Sequence, residues 1–142
     1  MNTNKIDITV LKNAVGSLER TITVINRKEQ EDTIPADERE TLQGGVIQAF
    51  EYTYELCWRF MKRWLDYNYS KDRTFGITRK ELFRLAAENA LIADVVPWFD
   101  FHDARNKTSH EYGGEIAKDV YRVAKEFLPY AKDFVSRLEV RL

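Results

Sequence analysis

Apolar residues recur along this chain every three or four positions, the spacing of one face of a helix. Leu11, Val15, Leu18, Ile22 and Ile25 mark the first stripe. It predicts a helix over about 7–28, with Asp7 as a candidate N-cap. A polar connection, Glu29 to Ile34, leads to Pro35, which suits a helix start because its missing N–H costs nothing there. The second stripe is longer: Leu42, Val46, Phe50, Tyr54, Cys57, Met61, Trp64 and Leu65 predict a helix over about 36–68. Gly44-Gly45 interrupts it, either as a break or as a site of close helix approach.

Asn68 to Ile77 reads as a loop. Thr78-Arg79-Lys80-Glu81 matches a capping box and opens a short helix to about Asn89, with Leu82, Phe83 and Ala86 inward. Asp94 or Val96 starts the next helix, with Pro97 near its first turn. Trp98, Phe101, Arg105 and Ser109 share one face of it, and Gly113-Gly114 ends it. The last helix spans about 115–140 through Ile116, Val120, Val123, Phe127, Phe134 and Leu138, with a kink expected at Pro129. No segment alternates as a strand does. The expected fold is all-α: an antiparallel four-helix up-and-down bundle with an additional short helix, as a single domain over 1–142.

Composition narrows the class. A chain of 142 residues, 44% hydrophobic and 32% charged, can bury one substantial core and is neither disordered nor fibrous. It has one cysteine, Cys57, so no internal disulfide. That favours a reducing compartment. The first residues lack the apolar run of a secretory signal, and no window reaches a membrane span. A cytoplasmic location with no membrane contact is the expectation. The net charge of −1 hides an uneven distribution. Residues 29–55 are acidic and residues 59–84 are basic, the latter carrying Arg59, Lys62, Arg63, Lys71, Arg73, Arg79, Lys80 and Arg84. The basic run is either the solvated face of two helices or a local surface that attracts phosphate.

The candidate chemistry lies in Asp103-Ala104-Arg105-Asn106-Lys107-Thr108-Ser109-His110-Glu111-Tyr112. Arginine presents a planar fork of donors to phosphate, and histidine exchanges protons near neutral pH. Together they suit metal-independent cleavage of a phosphodiester. Five positions separate Arg105 from His110, about 140° on an ideal helix. They converge only if the helix ends near Ser109, which would put His110 at a helix C-terminus. Each residue also has an ordinary structural role open to it. Arg105 can pair with Asp103, Glu111 or another acid of the bundle, His110 can cap a helix, and Tyr112 can pack as an aromatic. His102 reads as a partly buried structural histidine and Cys57 as an inert core thiol. Two histidines and one cysteine do not make a zinc site of usual composition, and no phosphate loop or dinucleotide fingerprint is present. No metal or cofactor is expected.

Arg105-Asn106 followed by His110 and Tyr112 resembles the R-N-x-x-x-H-x-Y motif of the HEPN superfamily. Gln48 to Trp58, Arg79 to Ala90, Trp98 and Leu128-Pro129 are similar to one branch of it, the nucleotidyltransferase substrate-binding-protein-like family. The resemblance spans about 10–140. It implies a helical bundle that dimerises and a small nucleotidyltransferase partner encoded nearby, in a two-component module often of toxin–antitoxin type. It also implies, as the alternative activity, a metal-independent ribonuclease acting on RNA. In that case Arg105 and His110 are the catalytic pair, Asn106 is a positioning residue, and Tyr112 accepts AMP from the partner as a silencing modification. A second copy of the chain would supply the second histidine that acid–base cleavage needs.

Overall fold

The computed structural model describes residues 6–31, 33–108 and 114–142. Among these residues there are six helices and no strand: α1 (Thr9–Glu29), α2 (Ala36–Asn68), α3 (Lys71–Thr74), α4 (Arg79–Glu88), α5 (Val95–Thr108) and α6 (Gly114–Glu139). α1, α2, α5 and α6 form the bundle. The ion pairs Lys12–Glu139, Glu19–Lys132 and Glu29–Lys125 run in opposite order along α1 and α6, so these two helices are antiparallel. α1 and α2 are antiparallel by the same reasoning. The Thr53 hydroxyl donates to the Ala14 carbonyl near one end, and Lys28 meets Glu38 near the other. Along α5 and α6, Trp98 meets Phe134 while Lys107 reaches Asp119. The expected up-and-down bundle is the observed one, with α4 packed on α2 and α5 as the additional helix.

The core stripes are those of the sequence. Leu11, Leu18, Ile25, Phe50, Tyr54, Cys57, Met61, Leu65, Phe127 and Phe134 are fully shielded from solvent. Trp98 sits at the centre, edge-on to Phe127 at 5.6 Å and to Phe101 at 5.4 Å. Such T-shaped pairs place a positive ring edge on a negative face and add to the area each ring buries.

The helix ends differ in detail from their expected positions. α1 begins at Thr9, not Asp7. Asp7 still holds the first turn, its carboxylate accepting from the Thr9 amide at 2.9 Å and the Thr9 hydroxyl at 2.6 Å. Gly44-Gly45 makes no break, and α2 runs unbroken for 33 residues. A Cβ on Gly45 would meet Thr21 of α1 at 3.9 Å, an ordinary contact, while one on Gly44 would meet open space, so α1 packs beside the helix at Gly45. The expected loop after Asn68 contains the single turn α3. Thr78 caps α4 by accepting from the Glu81 amide at 3.1 Å. α4 closes on Ala90, whose φ of 59° lies in the left-handed region, and the Leu91 amide reaches back to the Ala86 carbonyl. This is the Schellman arrangement, with alanine where glycine is usual. α6 continues through Pro129 to Glu139.

Candidate functional site

α5 carries the site because its inner face locks it in place. Trp98, Phe101 and Ala104 are buried, the two rings packing on α4 and α6. Arg105, one position on from Ala104, turns toward α2. There Glu51 and Glu55, four residues apart, lie one above the other on one helix face. The Arg105 Nη1 is 3.1 Å from Glu51 Oε2, and its Nε is 3.5 Å from Glu55 Oε1. The Thr108 hydroxyl accepts from Arg105 Nη1 at 3.3 Å and stands 2.9 Å from Glu51 Oε2, where it donates. The Arg105 side chain is only 27% exposed. Of the roles open to Arg105 in the sequence, pairing with a bundle acid is therefore realised, with Glu51 and Glu55 both supplied by α2.

These side chains line a shallow cavity of about 360 Å³ together with Gln48, Tyr52 and Arg59. Two carboxylates face two guanidiniums, so the cavity wall is electrically balanced. Glu55 is further fixed by the Trp58 indole N–H at 2.9 Å. In this setting the Arg105 guanidinium is placed by ion pairs to Glu51 and Glu55 and a hydrogen bond to Thr108.

A second chain of polar contacts runs beside the first. Asn106 Nδ2 is 3.3 Å from His102 Nε2, and His102 Nδ1 is 2.8 Å from the Tyr54 hydroxyl. His102 lies against the Tyr54 and Phe83 rings. Burial lowers its pKa from 6.5, the positive charges of Arg79 and Lys80 lower it further, and Asp103 and Glu55 oppose them. A neutral imidazole, with one donor and one acceptor nitrogen, links the buried Tyr54 to the exposed Asn106. Burial also raises the pKa of the Tyr54 phenol, with Arg79 opposing. His102 is thus the partly buried structural histidine expected, and it orients Asn106.

His110 and Tyr112 lie outside the described residues, as do Ser109 and Gly113. α5 ends at Thr108, and α6 begins at Gly114 with φ of 61°. The structure therefore joins Arg105 to α2 directly and Asn106 to it through His102, and the convergence of Arg105 with His110 is a reading of the sequence alone. Glu51, Glu55 and Tyr54 were not assigned roles from the sequence. The signal for the acids was there: a Glu pair at i,i+4 flanking an otherwise aromatic and apolar stripe. Among the described residues no group of three or more His, Cys, Asp or Glu side chains is arranged to hold a metal ion. No described helix is long and apolar enough to cross a membrane.

Residues 6–140 match the family described as nucleotidyltransferase substrate binding protein like. The chain belongs to this family. A Haemophilus influenzae protein named probable ribonuclease HepT is 35% identical to it over 142 residues, covering 99% of this chain and 97% of that one. A Haemophilus influenzae structure, described as revealing the fold of a substrate binding domain of a nucleotidyltransferase, superposes with a TM-score of 0.86 at 34% identity. It covers 94% of this chain and 99% of its own. A Thermus thermophilus structure shares the fold, with a TM-score of 0.59 at 24% identity over 85% of this chain and 98% of its own. Family membership thus rests on the whole helical framework.

Proposed function

We propose that this chain is the helical partner subunit of a small nucleotidyltransferase encoded nearby, working in the cytoplasm as one half of a two-component toxin–antitoxin module. The observation that carries the reading is the match of residues 6–140 to the substrate-binding family. Co-expression with the neighbouring nucleotidyltransferase tests it: the two chains should co-purify through size exclusion. A partner that never associates, with both proteins folded, overturns it.

A second reading is that the subunit is itself a metal-independent ribonuclease. It is favoured by the probable ribonuclease HepT that it resembles along its full length. In this reading the chain is a homodimer. Arg105 stabilises charge on the phosphorane, His110 of each copy serves as acid or base, and Asn106 positions the scissile phosphate. Transfer of AMP from ATP to the Tyr112 hydroxyl, with release of pyrophosphate, adds a bulky anion to the motif that carries Arg105 and silences the site. RNA cleavage should survive EDTA and be lost in both Arg105→Ala and His110→Ala, with helical circular dichroism unchanged. Sedimentation should give twice the chain mass. The partner with ATP should add AMP to Tyr112, mapped by tandem mass spectrometry and absent in Tyr112→Phe. Cleavage that persists in His110→Ala, or stops with EDTA, removes this reading.

A further inference from the structure

The basic run noted in the sequence becomes a groove in three dimensions. Arg59, Lys62 and Arg63 from the C-terminal half of α2, with Lys71 from α3, line one depression of about 650 Å³, bordered by Trp58 and Tyr67. Asp66 is the single acid in that wall, and it is engaged by Lys62 at 2.8 Å and by the Thr74 hydroxyl. Arg63 and Lys71 pair with no carboxylate among the described residues. The Arg59 side chain is 62% exposed and only loosely paired, 3.9 Å from Glu55. The groove therefore carries uncompensated positive charge in a chain whose total is −1.

The depression neighbours the Arg105 cavity, with Arg59 lining both. It also neighbours a smaller cavity beneath α4, lined by Trp58, Lys62 and Arg79. From Trp58 to Tyr67 it extends about 14 Å along the helix axis at about 1.5 Å per residue. Of its two aromatics, Tyr67 is presented and Trp58 is partly buried against the core. Tyr67 is 44% exposed, and Trp58 carries the Arg79 guanidinium 3.5 Å from its ring centroid. Cations spaced along a groove with aromatic and guanidinium planes between them fit one polymer well: a chain of phosphates bearing flat, unpaired bases.

We infer that this groove is a binding track for single-stranded RNA, with phosphates on Arg59, Arg63 and Lys71, a base stacked on Tyr67, and the strand delivered past Arg59 to Arg105. The inference deepens the ribonuclease reading and rests on it for the direction of the strand, but not for binding itself. An acidic protein surface is the competing occupant. It would use the cations but would give the Tyr67 ring no stacking partner.

The probe is a fluorescein-labelled oligouridylate of about a dozen nucleotides, followed by anisotropy in EDTA over a series of salt concentrations. Three phosphate contacts on a single strand predict a log–log salt slope of about −2.1, at about 0.7 per contact. Arg63→Gln with Lys71→Gln removes two contacts, lowering the slope by about 1.4 and the affinity at low salt by roughly tenfold or more. Tyr67→Ala should weaken binding with the slope unchanged. Arg105→Ala should abolish any cleavage while leaving most binding in place. Binding that follows this pattern without cleavage in the wild type keeps the track and removes the ribonuclease reading. Cleavage with wild-type binding in the double variant keeps the ribonuclease and overturns the track. Loss of association with the nucleotidyltransferase in the double variant, with RNA binding intact, overturns it in favour of a protein surface.

Discussion

The seating of Arg105 on Glu51 can be measured as a free energy. Arg105→Gln, Glu51→Gln and the double variant form a cycle that isolates the coupling between the two side chains. At 3.1 Å and an effective dielectric near about 20, the gross attraction is about 5 kcal/mol. Most of that is offset by desolvation and side-chain ordering. Exposed pairs retain about 0.2–1 kcal/mol. These two side chains are 27% and 21% exposed, and Thr108 braces both, so the coupling should exceed that range, at about 1–1.5 kcal/mol. Arg105→Gln alone should cost more than Glu51→Gln, at about 1.5–2.5 against about 1 kcal/mol. It leaves Glu51 and Glu55 as like charges one turn apart, worth roughly a further few tenths of a kcal/mol. Equilibrium urea unfolding followed by far-UV circular dichroism yields all four values. Raising the salt should reduce the coupling only slightly, since the pair is largely out of solvent. A coupling under about 0.3 kcal/mol, within the scatter of additive sites, would mean that α2 does not hold the arginine.

Three further outcomes follow from local structure. Ala90→Gly should stabilise the fold by about 1 kcal/mol, because a left-handed φ strains alanine and not glycine; destabilisation in urea would show that the turn is not as described. The His102 ring should titrate below 6.5 by NMR in a His110→Gln background, and Arg79→Gln should move its midpoint upward; a wild-type midpoint at or above 6.5 refutes the burial argument. Because the native state favours neutral His102, its contribution to stability is complete above about pH 6.5 and is lost as the pH falls through the lower native value. Cys57 is fully buried and its thiol pKa is raised by that burial, so a thiol reagent such as DTNB should modify it only at the rate of unfolding; fast labelling of native protein would contradict the core placement.

Local pattern alone settles the helices and their inward faces. Leu11 to Ile25, Val46 to Leu65 and Val120 to Leu138 repeat at helical spacing, and a helix whose one face is apolar has to bury that face. Thr78 and Glu81 marked a start because capping is chemistry between near neighbours. Local rules failed where packing overruled them. Gly44-Gly45 reads as a weak point, yet α2 runs through it with α1 packed beside Gly45. Ala90 occupies a position that propensity assigns to glycine, tied in place by Arg137, which reaches its carbonyl at 3.2 Å from 47 residues away. The candidate site divides along the same line. Arg105 and Asn106 were legible as a pattern of reactive residue types. Glu51, Glu55 and Tyr54 could not be assigned as partners, because those pairings are set by how α5 lies against α2, whereas His102 and Asn106 lie four apart on α5 itself. The sequence likewise showed a run of bases from 59 to 84, which spacing alone leaves spread over two helices and a loop. Helical spacing alone puts Arg59, Lys62 and Arg63 together on α2, and only the packing of α3 beside α2 adds Lys71 to that groove, because the field of separate charges depends on their distances in space and not on their order along the chain.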